Sequence, residues 1–149
     1  MPYLSYFLFP FVVWLVSQTI KFFIRLGQRG VPGGLRDAWW TYLWAGGMPS
    51  THTAILVSAL VVVWYKSGPS PISLFCLAIT MLRLYDLLGE RKKFELLNSY
   101  FKKTSAPGLQ NIVTDGFVLD LSGHTFAEVF WGAMLGLGLG LFAILFQVL

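Results

Sequence analysis

Charge is scarce in this chain. Asp, Glu, Lys and Arg make up only 12% of its 149 residues, where a soluble domain carries about 25%. Cysteine is scarcer still. The lone Cys76 excludes an intrachain disulfide and a cysteine-based zinc site, and is read as a small apolar packing residue. Histidine occurs only twice, at His52 and His124. There is no internal repeat and no low-complexity tract. Eleven basic against seven acidic residues leave a net charge of +4, which suits anionic lipid headgroups. Nucleic acid is disfavoured as a partner, because the basic residues sit beside apolar segments. The length is that of one domain, residues 1–149.

Apolar sequence is abundant instead: 56% of residues are hydrophobic and 17% aromatic. A membrane-spanning helix needs about 20 mostly apolar residues, within a range of about 17–25. Four segments qualify: Tyr3 to Ile24, Thr53 to Tyr65, Pro71 to Leu88 and Phe126 to Leu149. The second is long enough only if it starts near Pro49. The first has neither the basic leader nor the small-residue cleavage site of a signal peptide, so a retained helix is expected. The fold class is therefore all-α: a polytopic membrane helical bundle of about four transmembrane helices plus interfacial helices.

Positive charge in short loops faces the cytoplasm. Arg25, Arg29 and Arg36 follow the first span, with Lys21 at its edge. Arg91, Lys92, Lys93, Lys102 and Lys103 follow the third. The connection KSGPS between spans two and three has only Lys66, and neither terminus carries Lys or Arg. Both longer loops are thus expected in the cytoplasm of a cell-membrane protein, with both termini outside. Three polar stretches, GGMPSTH, RLYDLLGER and SGHTFAEV, then meet at one membrane face although they lie far apart in sequence.

Other stretches are more ordinary. RKKFELLNSYFKK, Arg91 to Lys103, reads as a short amphipathic helix lying in the interface, with Phe94, Leu97 and Phe101 on one face. WWTYLW, Trp39 to Trp44, reads as an interfacial aromatic belt. Val31–Gly34 and Ser105–Gly108 read as turns, and Gln110 to Leu121 has no clear period. Gly132, Gly136 and Gly140 recur every four residues, the spacing of close helix contact in membranes. This stripe serves packing within one chain or in a dimer equally well.

The two histidines carry the chemistry. His124 and Glu128 are four apart, on one helical face. A carboxylate that takes the proton of one imidazole nitrogen fixes the tautomer, leaving the other nitrogen to attack or to accept a proton. His52 follows a turn in which Gly46 and Gly47 let backbone approach a ligand. Ser50, Thr51 and Thr53 offer hydroxyls there, and the helix start attracts an anion such as phosphate. At that edge His52 is placed to hand a proton to a leaving oxygen. A transferring phosphoryl group also needs cations, for which Lys21, Arg36, Arg83 and Arg91 are the candidates. Arg83 and Asp86, three apart, are spaced to pair with each other. Tyr85 is a hydrogen-bond donor or an interfacial anchor. A metal site built from His52, His124 and Glu128 is disfavoured, since H-x-x-x-E is not the H-E-x-x-H zinc pattern.

Together these stretches resemble the divergent bacterial and plant branch of the type 2 phosphatidic acid phosphatase superfamily, which is related to vanadium haloperoxidases. That branch shows G-G-M-P-S-S-H-S-A, then Y-D-x-x-G-x-R, then L-L-G-H-T-P-x-E-V-x-x-G-x-x-L-G. This chain has GGMPSTHTA, YDLLGER and LSGHTFAEVFWGAMLG, with QTIK (Gln18 to Lys21) near its start. The resemblance implies a membrane phosphatase acting on a lipid phosphate or diphosphate without a metal or other cofactor. It implies His124 as the nucleophile that forms a phosphohistidine, Glu128 as its orienting acid and His52 as the proton donor to the leaving group. Ser50 would bind phosphate along the Gly47–Thr51 turn, and Lys21 and Arg91 would hold phosphate oxygens. The superfamily also places an arginine six residues before the nucleophile. Val118 stands there, and no Lys or Arg occurs between Lys103 and His124. That departure supports the alternative of a non-catalytic or weakly catalytic protein that binds lipid headgroups. The superfamily core has six helices, so a four-span version leaves room for a second protomer to complete it as a homodimer.

Overall fold

In this computed structural model the described residues are 3–29, 34, 38–39, 42–43, 47–103 and 124–147. They form four helices and no strand: α1 (Tyr3–Arg29), α2 (Thr51–Ser67), α3 (Pro71–Lys103) and α4 (Phe126–Leu145). Three contain a stretch long and apolar enough to cross a membrane, Leu4–Gln28, Pro71–Gly89 and Phe126–Leu145. The fourth, α2, has 17 residues. At about 1.5 Å per residue it falls a little short of the ~30 Å hydrocarbon core. It is nevertheless the hub of the bundle, packed most extensively on α4 and also on α3 and α1.

The core inverts the pattern of a soluble protein. Large apolar side chains such as Phe7, Phe75, Leu82 and Phe142 are on the outside. Beside Val13, Val62, Leu87 and Val129, the buried positions hold small or polar groups, among them Ser17, Gln18, Ser50, Thr53, Ala54, Ser58 and Thr80. Lipid tails are as apolar as leucine, so helices associate in a membrane through close packing and hydrogen bonds rather than through burial of greasy surface. Several buried hydroxyls are satisfied within their own helices. Ser17 Oγ donates to the Val13 carbonyl at 2.8 Å, and Thr80 Oγ1 donates to that of Cys76 at 2.8 Å.

The glycine stripe packs within the chain. A Cβ on Gly132 would stand 2.5 Å from the Ser50 carbonyl oxygen, and one on Gly136 would collide with the Ala54 backbone. One on Gly140 would stand 3.0 Å from Val61. The facing side of α2 is small at the same spacing, with Ser50, Ala54 and Ser58 each four apart. The two backbones therefore approach closely along most of α2, and this contact sets where α4 begins relative to α2.

Two expectations are corrected. Arg91 to Lys103 is not a separate short helix: it continues α3, which runs unbroken for 33 residues. No proline interrupts that stretch, isolated Gly89 is tolerated inside a helix, and Arg, Lys, Glu and Leu are strong helix formers. The fourth helix ends at Leu145 rather than Leu149, with Phe146 as its C-cap. Tyr42 of the aromatic run folds back on α1, and Trp39 packs on Tyr42. The two rings stack at 6.3 Å, and the Tyr42 hydroxyl is 3.2 Å from Thr19 Oγ1. The turn expected at Ser105–Gly108 and the segment Gln110 to Leu121 lie outside the described residues, as does Val31–Gly34 apart from Gly34.

Candidate active site

The start of α4 builds one half of the site. Thr125 is the N-cap, and its side chain accepts from the Glu128 backbone N–H at 3.2 Å. Glu128 answers through Oε2, which accepts from the Thr125 N–H at 2.9 Å, completing a reciprocal capping box. The same Oε2 lies 3.0 Å from His124 Nδ1. With the proton on Nδ1 donated to this carboxylate, Nε2 keeps its lone pair. The side chains of His124 and Glu128 are only 15% and 18% exposed, so water competes weakly for the bond. The His124 backbone N–H donates to the Leu87 carbonyl of α3 at 3.1 Å, fixing the residue before its helix starts. Removing the cap with Thr125→Val is expected to cost about 1 kcal/mol, read as a lower melting temperature in detergent, and to loosen the carboxylate that holds the imidazole.

The turn into α2 builds the other half. Gly47 has φ +98°, a conformation that favours glycine even though nothing crowds its Cβ position. Ser50 caps α2, its Oγ accepting from the Thr53 N–H at 3.4 Å and from Thr53 Oγ1 at 3.1 Å. The Ser50 N–H donates to the Glu128 carbonyl at 2.9 Å, so the two helix starts are joined directly. His52, the second residue of α2, then stands with its ring centroid 5.9 Å from that of His124, the planes inclined by 54°. Seventy-two residues separate the two positions in sequence; the contact is made by the helix seam.

A cation comes from α1. Lys21 is only 4% exposed and lies within electrostatic range of the Glu128 carboxylate and of Arg25. One turn earlier, Gln18 bridges two segments: its Oε1 accepts from Thr51 Oγ1 at 3.5 Å and its Nε2 donates to the Leu43 carbonyl at 2.9 Å. So α1 delivers both a buried ammonium and an anchor for the Ser50–Thr53 turn.

The structure thus brings together His52, His124, Glu128, Ser50 and Thr51, with Lys21 beside them. Arg83 and Asp86 pair with each other at 4.0 Å, with side chains 47% and 41% exposed. Tyr85 is 77% exposed. Arg91 lies one turn beyond Leu87 along α3, and its side chain lies outside the described residues. Arg36 and Gly46 also lie outside them. Among the described residues no group of three or more His, Cys, Asp or Glu could hold a metal ion. Sequence reasoning missed the roles of Thr125 and Gln18. The first had a legible signal, T-x-x-E ahead of an apolar run; the second depends on where residue 43 returns to α1, which no local pattern reveals.

A family model described as the Divergent PAP2 family matches residues 4–139. The chain belongs to the Divergent PAP2 family. The match takes in Lys21, both histidines, Glu128 and the glycine-lined start of α4. No curated protein and no solved structure matches the chain. Membership and the three spanning helices together make this divergent PAP2 chain a phosphatase-related membrane protein.

Proposed function

We propose that this protein is a metal-independent phosphatase of the cell membrane that hydrolyses a lipid phosphate or diphosphate through a phosphohistidine at the cytoplasmic face. The observation that carries the proposal is the 3.0 Å bond from His124 Nδ1 to Glu128 with the His52 ring 5.9 Å away. That arrangement pairs an oriented nucleophile with a second imidazole on a capped helix start. His124 Nε2 attacks phosphorus, the P–O bond to the lipid breaks, and the leaving oxygen takes a proton from protonated His52. Water then attacks the phosphohistidine and gives its proton to His52. The P–N bond breaks, inorganic phosphate leaves, and both imidazoles return to their starting states. Lys21 and the first N–H groups of α2 offset the charge on the phosphoryl oxygens. The cytoplasmic placement rests on the loop charges.

Vanadate mimics the transferring group and is expected to inhibit competitively against lipid phosphate, with chelators having no effect. Non-competitive inhibition, or loss of activity on chelation, contradicts this mechanism. The absence of an arginine at position 118 favours a second reading, a lipid-headgroup binder without turnover. Rapid quenching after mixing with a lipid bearing radiolabelled phosphate separates the two. The enzyme yields an acid-labile, alkali-stable label on His124; the binder retains lipid phosphate and releases none.

A further inference from the structure

Helices α1 and α4 run antiparallel but touch only sparsely, and the seam between them is hollow. Its inner end is a groove of about 440 Å³, walled by Ile20 and Ile24 of α1 and by Trp131 and Met134 of α4, with Met48 and Pro49 at its end. A second hollow of about 390 Å³ follows the same seam toward the other end, past Val12, Val16, Leu139 and Phe142. Resting on the phosphatase reading above, we propose that the inner groove holds the hydrocarbon tail of the lipid phosphate whose phosphate sits between His52 and His124.

Three walls of the groove each stand one residue from the site. Ile20 precedes Lys21, Pro49 precedes Ser50, and Trp131 precedes Gly132, which packs on Ser50. A tail in the groove is therefore continuous with a phosphate at the α2 start. The lining is almost wholly apolar, which suits methylenes and gives a headgroup nothing to bond. The described residues of the aromatic run are committed elsewhere. Tyr42 packs against Trp14 and Phe22, and the Leu43 carbonyl is held by Gln18. Positions 14, 18 and 22 form one stripe of α1, whereas Ile20 lies two residues from Gln18, about 200° around the helix. From Ile24 to Ile20 the groove covers about 6 Å of helix, room for the first several methylenes of a tail, which then runs on into one leaflet's ~15 Å of hydrocarbon.

The test uses the full-length protein in vesicles. A long-tailed phosphate monoester with a diazirine in its tail is photoactivated and the labelled peptides are mapped. Label is expected at residues 20–24 and 131–135, displaced by unlabelled lipid phosphate but not by a phosphocholine lipid of the same tail. Label spread equally over Phe75 and Leu82 on the outer face of α3, or displaced equally by both lipids, overturns the proposal. So does a photoreactive residue at position 134 that crosslinks to residues 104–123 or to a second copy in place of lipid. Met134→Trp, which narrows the groove from a half-exposed position, is expected to lower kcat/KM for the long-tailed ester about tenfold. That equals about two methylenes of lost contact, and a short-tailed, water-soluble ester should be unaffected. An equal effect on both esters also overturns it. If the wild-type protein releases phosphate from neither ester, the phosphatase reading fails, and the labelling pattern still decides the groove.

Discussion

Replacing His124 with alanine is expected to lower phosphate release from a lipid phosphate by about 10³-fold or more, with yield and melting behaviour little changed. The effect is large because, in the proposed mechanism, the substitution removes the attacking nitrogen itself. The fold survives because the structural work of this residue is done by its backbone: the N–H bonded to the Leu87 carbonyl remains. The carboxylate of Glu128 keeps its bond from the Thr125 N–H, so the capping box stays closed. Glu128→Gln should fall between wild type and alanine, since an amide still caps the helix but stabilises the imidazolium less. Wild-type rates in the His124 variant would remove the phosphohistidine mechanism, and a variant that fails to fold would show that the imidazole is structural.

The second large effect is on stability. Gly136→Ala is expected to destabilise the bundle by roughly 1–3 kcal/mol, and Gly136→Leu to abolish folded protein. A methyl at 136 meets the backbone of Ala54, not the movable end of a side chain, so relief requires the two helices to part. Parting them separates Ser50 from Glu128 and His52 from His124, so residual activity should fall faster than the melting temperature. Gly138→Ala is the matched control: two residues away, a Cβ there meets nothing within 4 Å. Thermal melts in detergent on the pair give the answer, and indistinguishable curves would show that the seam does not hold the bundle together.

Much of this candidate site is readable from residue types and spacing, because its residues sit at helix starts. The i, i+4 pair His124–Glu128 and the hydroxyl-rich turn before His52 are local patterns, and loop charge alone predicts that they share one membrane face. The glycine stripe was half readable. Gly132, Gly136 and Gly140 announce a close contact, and their partner became visible only when Ser50, Ala54 and Ser58 lay opposite. The length of α3 was misread because Gly89 and the run of charges after it look like punctuation, whereas neither breaks a helix. Gln18 was beyond local reasoning, since its partners Leu43 and Thr51 are 25 and 33 residues away. Arg83 carries the opposite lesson: its partner Asp86 was evident from the spacing, and the 4.0 Å pair on a half-exposed surface is a weak contact.

The unbroken α3 has a mechanical consequence. At about 1.5 Å per residue its 33 residues make a shaft of about 50 Å, well beyond the ~30 Å of hydrocarbon available to it. Its apolar part, Pro71–Gly89, answers to bilayer thickness by tilting, and the basic end swings with it. Leu87 stands near the point where the shaft leaves the lipid, with the His124 amide hanging from its carbonyl. In the mechanism proposed above, thicker or thinner membranes would therefore pull on the footing of the attacking residue, and lipid chain length would act on the protein as a setting of its surroundings.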